Sequence, residues 1–296
     1  MEKNVLLTIE YDGTAFSGWQ RQPGARTVQG VIEEVLTDIT GSPVTVCGVS
    51  RTDAGVHARD QKAAFRTDLM IPTANLARVM NDRLAGKPEC RAENDDVRIV
   101  RAKEVPDGFN IRGSVTGKTY RYSIRNAAEM PVFDRNYRYL VKQNLDVARM
   151  REAAEYIKGT HDFVCFQAAG AEPGKTTVRT IKDITITEEP VPVITRRGPG
   201  AADDGMDVPS FKEEKKETRG CSRDIFIDIS GDGFLYNMVR IITGTLVEVG
   251  LGKREPEELK DIIESRDRTQ AGHTAPPQGL CLMRVYYNES EITDRK

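Results

Sequence analysis

The apolar positions of this chain switch repeatedly between a period of two and a period near 3.6. Val5, Leu7 and Ile9 alternate with more polar neighbours, so the chain opens on a strand. From Thr27 to Ile39, Val28, Val31, Ile32, Val35, Leu36 and Ile39 fall at helical spacing, with Thr27 placed as the N-cap and Gly41 as the stop. The pattern then predicts a strand over Val44–Val49, another through Ala63–Phe65, a helix over Ala74–Leu84 and a strand over Val97–Val105. Further on it predicts strands over Thr119–Arg125, Val178–Ile186, Arg223–Ile229 and Leu280–Tyr286. Helices are predicted over Asp146–Ile157, Phe234–Val249 and Pro256–Glu264. Many strands are neighbours in the chain, which favours an α/β or α+β layer architecture with a largely antiparallel sheet. Residues 188–222 lose all periodicity and are dense in Pro, Gly and charge, the pattern of a mobile surface insertion between two strands.

Composition changes this picture little. With 39% hydrophobic and 30% charged residues the chain is an ordinary globular sequence, and 296 residues suffice for one large domain or two small ones. No apolar run approaches the roughly 20 residues that cross a bilayer. The start, MEKNVLLTIEYDG, lacks the features of a signal peptide, so a cytoplasmic location is expected. Cys47, Cys90, Cys165, Cys221 and Cys281 are scattered without a CxxC pair, and His57, His161 and His273 lie far apart. Neither a disulfide framework nor a metal site is expected from that spacing. A net charge of −2 carries no footprint of a nucleic-acid partner. Basic residues nevertheless gather in two segments, Arg51, Arg59, Lys62 and Arg66, then Arg112, Lys118, Arg121 and Arg125. These are either solvated strand faces or one basic surface.

Four local features bear on chemistry. Arg51-Thr52-Asp53-Ala54-Gly55-Val56-His57 follows an apolar strand; Asp53 there either caps a turn or is a functional carboxylate on a rigidly held loop. In GFLYNMVRIITGTLVEVG, Arg240 interrupts a largely apolar helix. Its guanidinium must either reach the surface or find an anion, and Asp53 is a candidate; an aspartate beside an arginine is expected to stay ionised. Tyr120 and Tyr122 of Lys118-Thr119-Tyr120-Arg121-Tyr122 share one strand face, either as core residues or as an aromatic platform for an unstacked base. Tyr11 to Gln20 is a loop with two glycines and three aromatics, which simple packing explains.

Taken together, these stretches resemble the TruA family of tRNA pseudouridine synthases. The resemblance is carried by IEYDGTAFSGWQRQ, SRTDAGVHA, KTYRY, GTHDFVCF, RTI at Arg179, GDGFLYNMVRIITGTLVEVG and TAPPQGLCL, in family order over nearly the whole chain. It implies two α/β halves, here residues 1–110 and 111–296, which share a largely antiparallel sheet around a central RNA-binding cleft. It implies isomerisation of uridine to pseudouridine at positions 38, 39 or 40 of the tRNA anticodon stem-loop, without cofactor or metal, by a cytoplasmic homodimer that takes neither DNA nor membrane. By motif position Asp53 corresponds to the catalytic nucleophile, Tyr120 to the tyrosine stacked on the target base, and Arg240 to the arginine paired with the aspartate. Arg51 corresponds to the residue that helps displace the flipped nucleotide. The chain departs from the family pattern at Ser50, at residues 80–100, in Asn110 to Ser114 and in the long 188–222 stretch. Two other readings compete: a non-catalytic RNA-binding protein on the same scaffold, and a hydrolase in which His57 assists an aspartate nucleophile.

Overall fold

A computed structural model describes residues 2–86, 96–170, 174, 176–191 and 222–288. The first half contains β1 (Lys3–Tyr11), α1 (Val28–Thr40), β2 (Cys47–Gly48), β3 (His57–Thr67), α2 (Thr73–Gly86) and β4 (Val97–Val105). The second contains β5 (Val115–Asn126), β6 (Tyr139–Val141), α3 (Val147–Glu155), β7 (Gly159–Asp162), β8 (Val178–Pro190), β9 (Arg223–Gly231), α4 (Met238–Gly250), α5 (Glu258–Ser265) and β10 (Leu280–Tyr287). Thr27 caps α1 through its side chain, which accepts from Gly30 N, and Gly41 ends the helix at φ 71°.

Among the described residues the strands form one sheet in the order β4-β1-β3-β10-β5-β9-β8-β7, with β2 paired to β3 and β6 to β5. Every pairing is antiparallel except β10 with β3 and β5 with β6. The last strand is therefore the join: β10 lies between β3 of the first half and β5 of the second. One sheet face carries Leu7, Ile9, Tyr122, Ile124, Ile227, Ile229 and Leu282, and packs with the apolar stripes of all five helices into a single core. The opposite face of β5 and its neighbours is polar, with Arg121 facing Asp228 across the pair.

Three expectations change. The strand over Val44–Val49 shrinks to Cys47–Gly48. The helix expected from Phe234 starts only at Met238, because Asn237 takes a left-handed φ of 59° and turns the chain before the helix begins. The insertion drawn at 188–222 begins later, since Glu188 to Pro190 still pair with β9; residues 192–221 lie outside the described residues.

Helix α4 is pressed against the segment that precedes β10. Gly244 has no room for a side chain: a Cβ there would stand 1.8 Å from the His273 carbonyl oxygen. The Gly272 N–H donates to Thr245 Oγ1 (2.9 Å), which seals the same contact. We expect Gly244→Ala to overpack this contact and lower stability by on the order of 1–3 kcal/mol. The check is a lower urea midpoint with an unchanged m-value.

Candidate active site

The 50–56 loop is held from below by the loop after β1. Trp19 N donates to the Thr52 carbonyl (3.0 Å), and Tyr11 Oη and Thr52 Oγ1 share a hydrogen bond of 2.7 Å. Gly55 N donates to the Phe16 carbonyl (3.3 Å). The fit leaves no space for side chains. A Cβ at residue 13 would lie 2.1 Å from the Val56 carbonyl oxygen, and one at residue 18, where φ is +93°, 2.6 Å from that of Thr52. The Tyr11 to Gln20 stretch thus does more than pack: it is the mould for the Asp53 loop. Its sequence signal was the pair Gly13 and Gly18 among aromatics, which cannot be told from an ordinary turn without knowing what lies against it.

His57 belongs to the same frame. Its Nε2 faces the carbonyl oxygens of Asn136 (2.9 Å) and Gln278 (3.2 Å), and carbonyls only accept, so Nε2 carries the proton. Its Nδ1 takes the Gly13 N–H at 3.0 Å. With both nitrogens bound to the frame, the histidine is not placed to assist Asp53, which removes the support for the hydrolase reading.

Asp53 makes no side-chain bond to its own turn. Its partner among the described residues is Arg240, whose Nη1 donates to Oδ2 at 3.4 Å; the two side chains are 25% and 15% exposed. Arg240 is fixed more tightly by neutral groups. Its Nε donates to the Ala275 carbonyl (2.7 Å) and its Nη1 to Asn237 Oδ1 (2.8 Å), while Ala275 N returns a bond to the Arg240 carbonyl (3.1 Å). Asn237, in its left-handed backbone conformation, is thus a positioning residue that helical periodicity hid. Burial raises the Asp53 carboxyl above its ordinary value, and the Arg240 charge and hydrogen bond only partly offset it. The expected pairing with Arg240 thus has a desolvation penalty set against it, and of the two the loss of water is the larger.

A cavity of about 570 Å³ opens over Asp53. Asp53, Tyr120 and Arg51 all line it, together with Phe234, Tyr236 and Asn237. Tyr120 is buried, and Phe234 meets its ring edge-on at 5.2 Å. Burial, with a smaller push from the Asp53 charge, drives the Tyr120 phenol up to about 12 against the effect of the nearby Ser50 hydroxyl. Tyr122, two residues on, is a core residue instead, its hydroxyl donating to the Pro276 carbonyl at 2.6 Å. The basic segments divide in the same way. Arg112 and Lys118 line the cavity, whereas Arg121 is paired with Asp228 and Arg125 with Asp224 and Asp134. Lys62 and Arg66 are paired with Asp60 and Glu2, and Arg59 lines a separate cavity with Arg121 and Phe226. Among the described residues no three His, Cys, Asp or Glu side chains gather as a metal centre would require. No helix there is long and apolar enough to cross a membrane.

The chain is similar to known proteins over most of its length. A family model described as tRNA pseudouridine synthase matches residues 7–100 and 153–288. The tRNA pseudouridine synthase A 2 of Clostridium perfringens is 43% identical over 285 residues, which cover 96% of this chain and 100% of that protein. The tRNA pseudouridine synthase A proteins of Clostridium kluyveri and Ruminiclostridium cellulolyticum are 41% and 43% identical with the same coverage.

Removing the guanidinium should expose the balance of forces on Asp53. In Arg240→Met the carboxyl loses the group that lowers it and keeps the burial that raises it. Its titration, followed by carboxyl ¹³C NMR, is expected to move further up in pH; a downward or absent movement would show that the ion pair does not act on Asp53.

Proposed function

Because the chain belongs to the tRNA pseudouridine synthase family and is an isomerase of tRNA uridine, we propose that Asp53 is its catalytic nucleophile and that the target lies in the anticodon stem-loop, at position 38, 39 or 40. The observation that carries this reading is that Asp53, paired with Arg240, lines the same cavity as Tyr120. A volume of about 570 Å³ lies within the range of roughly 300–1,000 Å³ of pockets that enclose small ligands.

A base stacked in a stem cannot reach a carboxylate set in a cavity wall, so the uridine is extruded, at a few kcal/mol of lost stacking. Contact with the Tyr120 ring offsets part of this, and Arg51, exposed at the cavity edge, fills the place the nucleotide leaves. Asp53 then acts by attack at C1′, by attack at C6, or by removal of a sugar proton to give a glycal; each needs its ionised form. The C1′–N1 bond breaks, the uracil turns within the cavity, a C1′–C5 bond forms, and C5 gives up its proton as N1 gains one. Nothing is consumed, as an isomerisation requires. Arg240 aims Asp53 and favours its charged form. The phenol of Tyr120, held neutral near pH 7, can take the C5 proton only as a relay that passes on its own. The proposal includes a cytoplasmic homodimer that holds tRNA across both subunits, with no cofactor.

Asp53→Asn is expected to lower tritium release from [5-³H]uridine-labelled tRNA by roughly 10⁴-fold or more while tRNA is still retained on a filter. Normal turnover would remove Asp53 from the role. Retention of tRNA by the wild type without release would instead favour a non-catalytic RNA-binding protein. Tyr120→Phe keeps the stacking surface and loses the relay, so release should fall by about 10²-fold or more; full activity would leave Tyr120 as a platform only.

A further inference from the structure

The cavity lining is unbalanced in charge. Among the described residues Asp53 is the single acid of the lining, already opposite Arg240, yet Arg112, Lys118 and Arg179 all border it. On β5 itself two arginines meet carboxylates: Arg121 meets Asp228 and Arg125 meets Asp224. Arg112, Lys118 and Arg179 do not: among the described residues none of the three has an acidic partner. Each is anchored by backbone carbonyls instead. Arg112 Nε donates to Gly48 O (3.0 Å), Lys118 Nζ to Val49 O (3.3 Å), and Arg179 Nη1 to Thr176 O (2.8 Å) and Val178 O (2.6 Å). These bonds fix the heads and leave most of their N–H donors unused, since an ammonium has three and a guanidinium five. Gathering like charges this way is unfavourable unless an anion completes the group.

Resting on the reading of the chain as an enzyme acting on tRNA, we propose that Arg112, Lys118 and Arg179 form a seat for one phosphodiester of the RNA strand, the phosphate adjoining the extruded uridine. Three converging cations suit the oxygens of a phosphate, and the two arginines present forked donors to them. A phosphate held there tethers the sugar, and so presents C1′ to Asp53 on the same cavity wall. The seat makes the site selective for a nucleotide within a strand over a free nucleoside.

Lys118 gives the seat a measurable signature. Burial, and then the Arg112 and Arg179 charges, pull its ammonium down to about 8. Among the described residues the charged or titratable groups around it are Arg112 from the turn before β5, Arg179 and Lys182 from β8, Arg51 and Asp53 from the loop after β2, and Tyr120 on its own strand. The test uses the full-length protein and tRNA transcript. The KM of the wild type should rise as pH passes about 8, and in Lys118→Arg, whatever its KM near neutral pH, that rise should be lost. Lys118→Met and Arg179→Gln should each weaken tRNA binding by about ten-fold or more, and flatten the slope of log K against log salt concentration by up to about one. Wild-type affinity and slope in both variants, or an alkaline rise in KM that survives Lys118→Arg, would overturn the seat while leaving Asp53 untouched. Loss of tritium release in the wild type would instead refute the isomerase reading, and the binding arms would still report on the seat. If Lys118→Met fails to fold, Arg179→Gln and Lys118→Arg carry the test.

Discussion

A partly buried carboxylate stays usable only if something fixed and positive faces it, and here that is one guanidinium from a helix 187 residues further along the chain. Most of the architecture serves that meeting. Arg240 leaves α4 at its first turn, where the left-handed Asn237 has just redirected the backbone. The Ala275 carbonyl, from the segment leading into β10, holds its Nε. That strand then enters the sheet between β3 and β5, so it bridges the element following the Asp53 loop and the element carrying Tyr120. The pair is not strongly bonded in itself. At 3.4 Å it is longer than either neutral hydrogen bond to Arg240, so the frame sets the geometry and the charges adopt it.

The second constraint is steric. The Asp53 loop is pressed so closely on the loop after β1 that residues 13 and 18 have no space for a β-carbon. Tyr11, Trp19 and His57 spend their polar atoms on Thr52, Gln278, Asn136 and Gly13, and hold the turn by many weak, well-directed bonds. A loop fixed in this way keeps its carboxylate aimed without using that carboxylate as a turn cap, which leaves it available for chemistry.

The alternation of β5 divides two kinds of cation. Arg121 points to the polar face of the sheet and is neutralised by Asp228 from β9, whereas Lys118 and Tyr120 point into the cavity. A near-neutral chain thereby keeps a locally basic site, and the net charge of −2 says nothing about the surface the RNA meets.

Much of this was legible beforehand. The alternating runs of β1, β5 and β9 and the 3.6 period of α1 are local consequences of burying one face, so they mark the elements well. The motif around Asp53, with Tyr120 and Arg240, pointed to residues that the fold brings to one cavity and one ion pair. What periodicity misread was local geometry decided by distant partners. The start of α4 depends on Asn237, the short β2 on how little of its edge β3 accepts, and the role of Gly13 and Gly18 on a loop some forty residues away. The amino-acid sequence by itself determined which side chains are present and which face of each element is apolar, because both follow from covalent order and a fixed repeat. Only the tertiary structure decided that burial outweighs Arg240 at Asp53, and which of the clustered cations Arg112, Lys118, Arg121 and Arg125 are neutralised. Desolvation and ion pairing depend on what arrives from the other half of the molecule, and no local pattern records that.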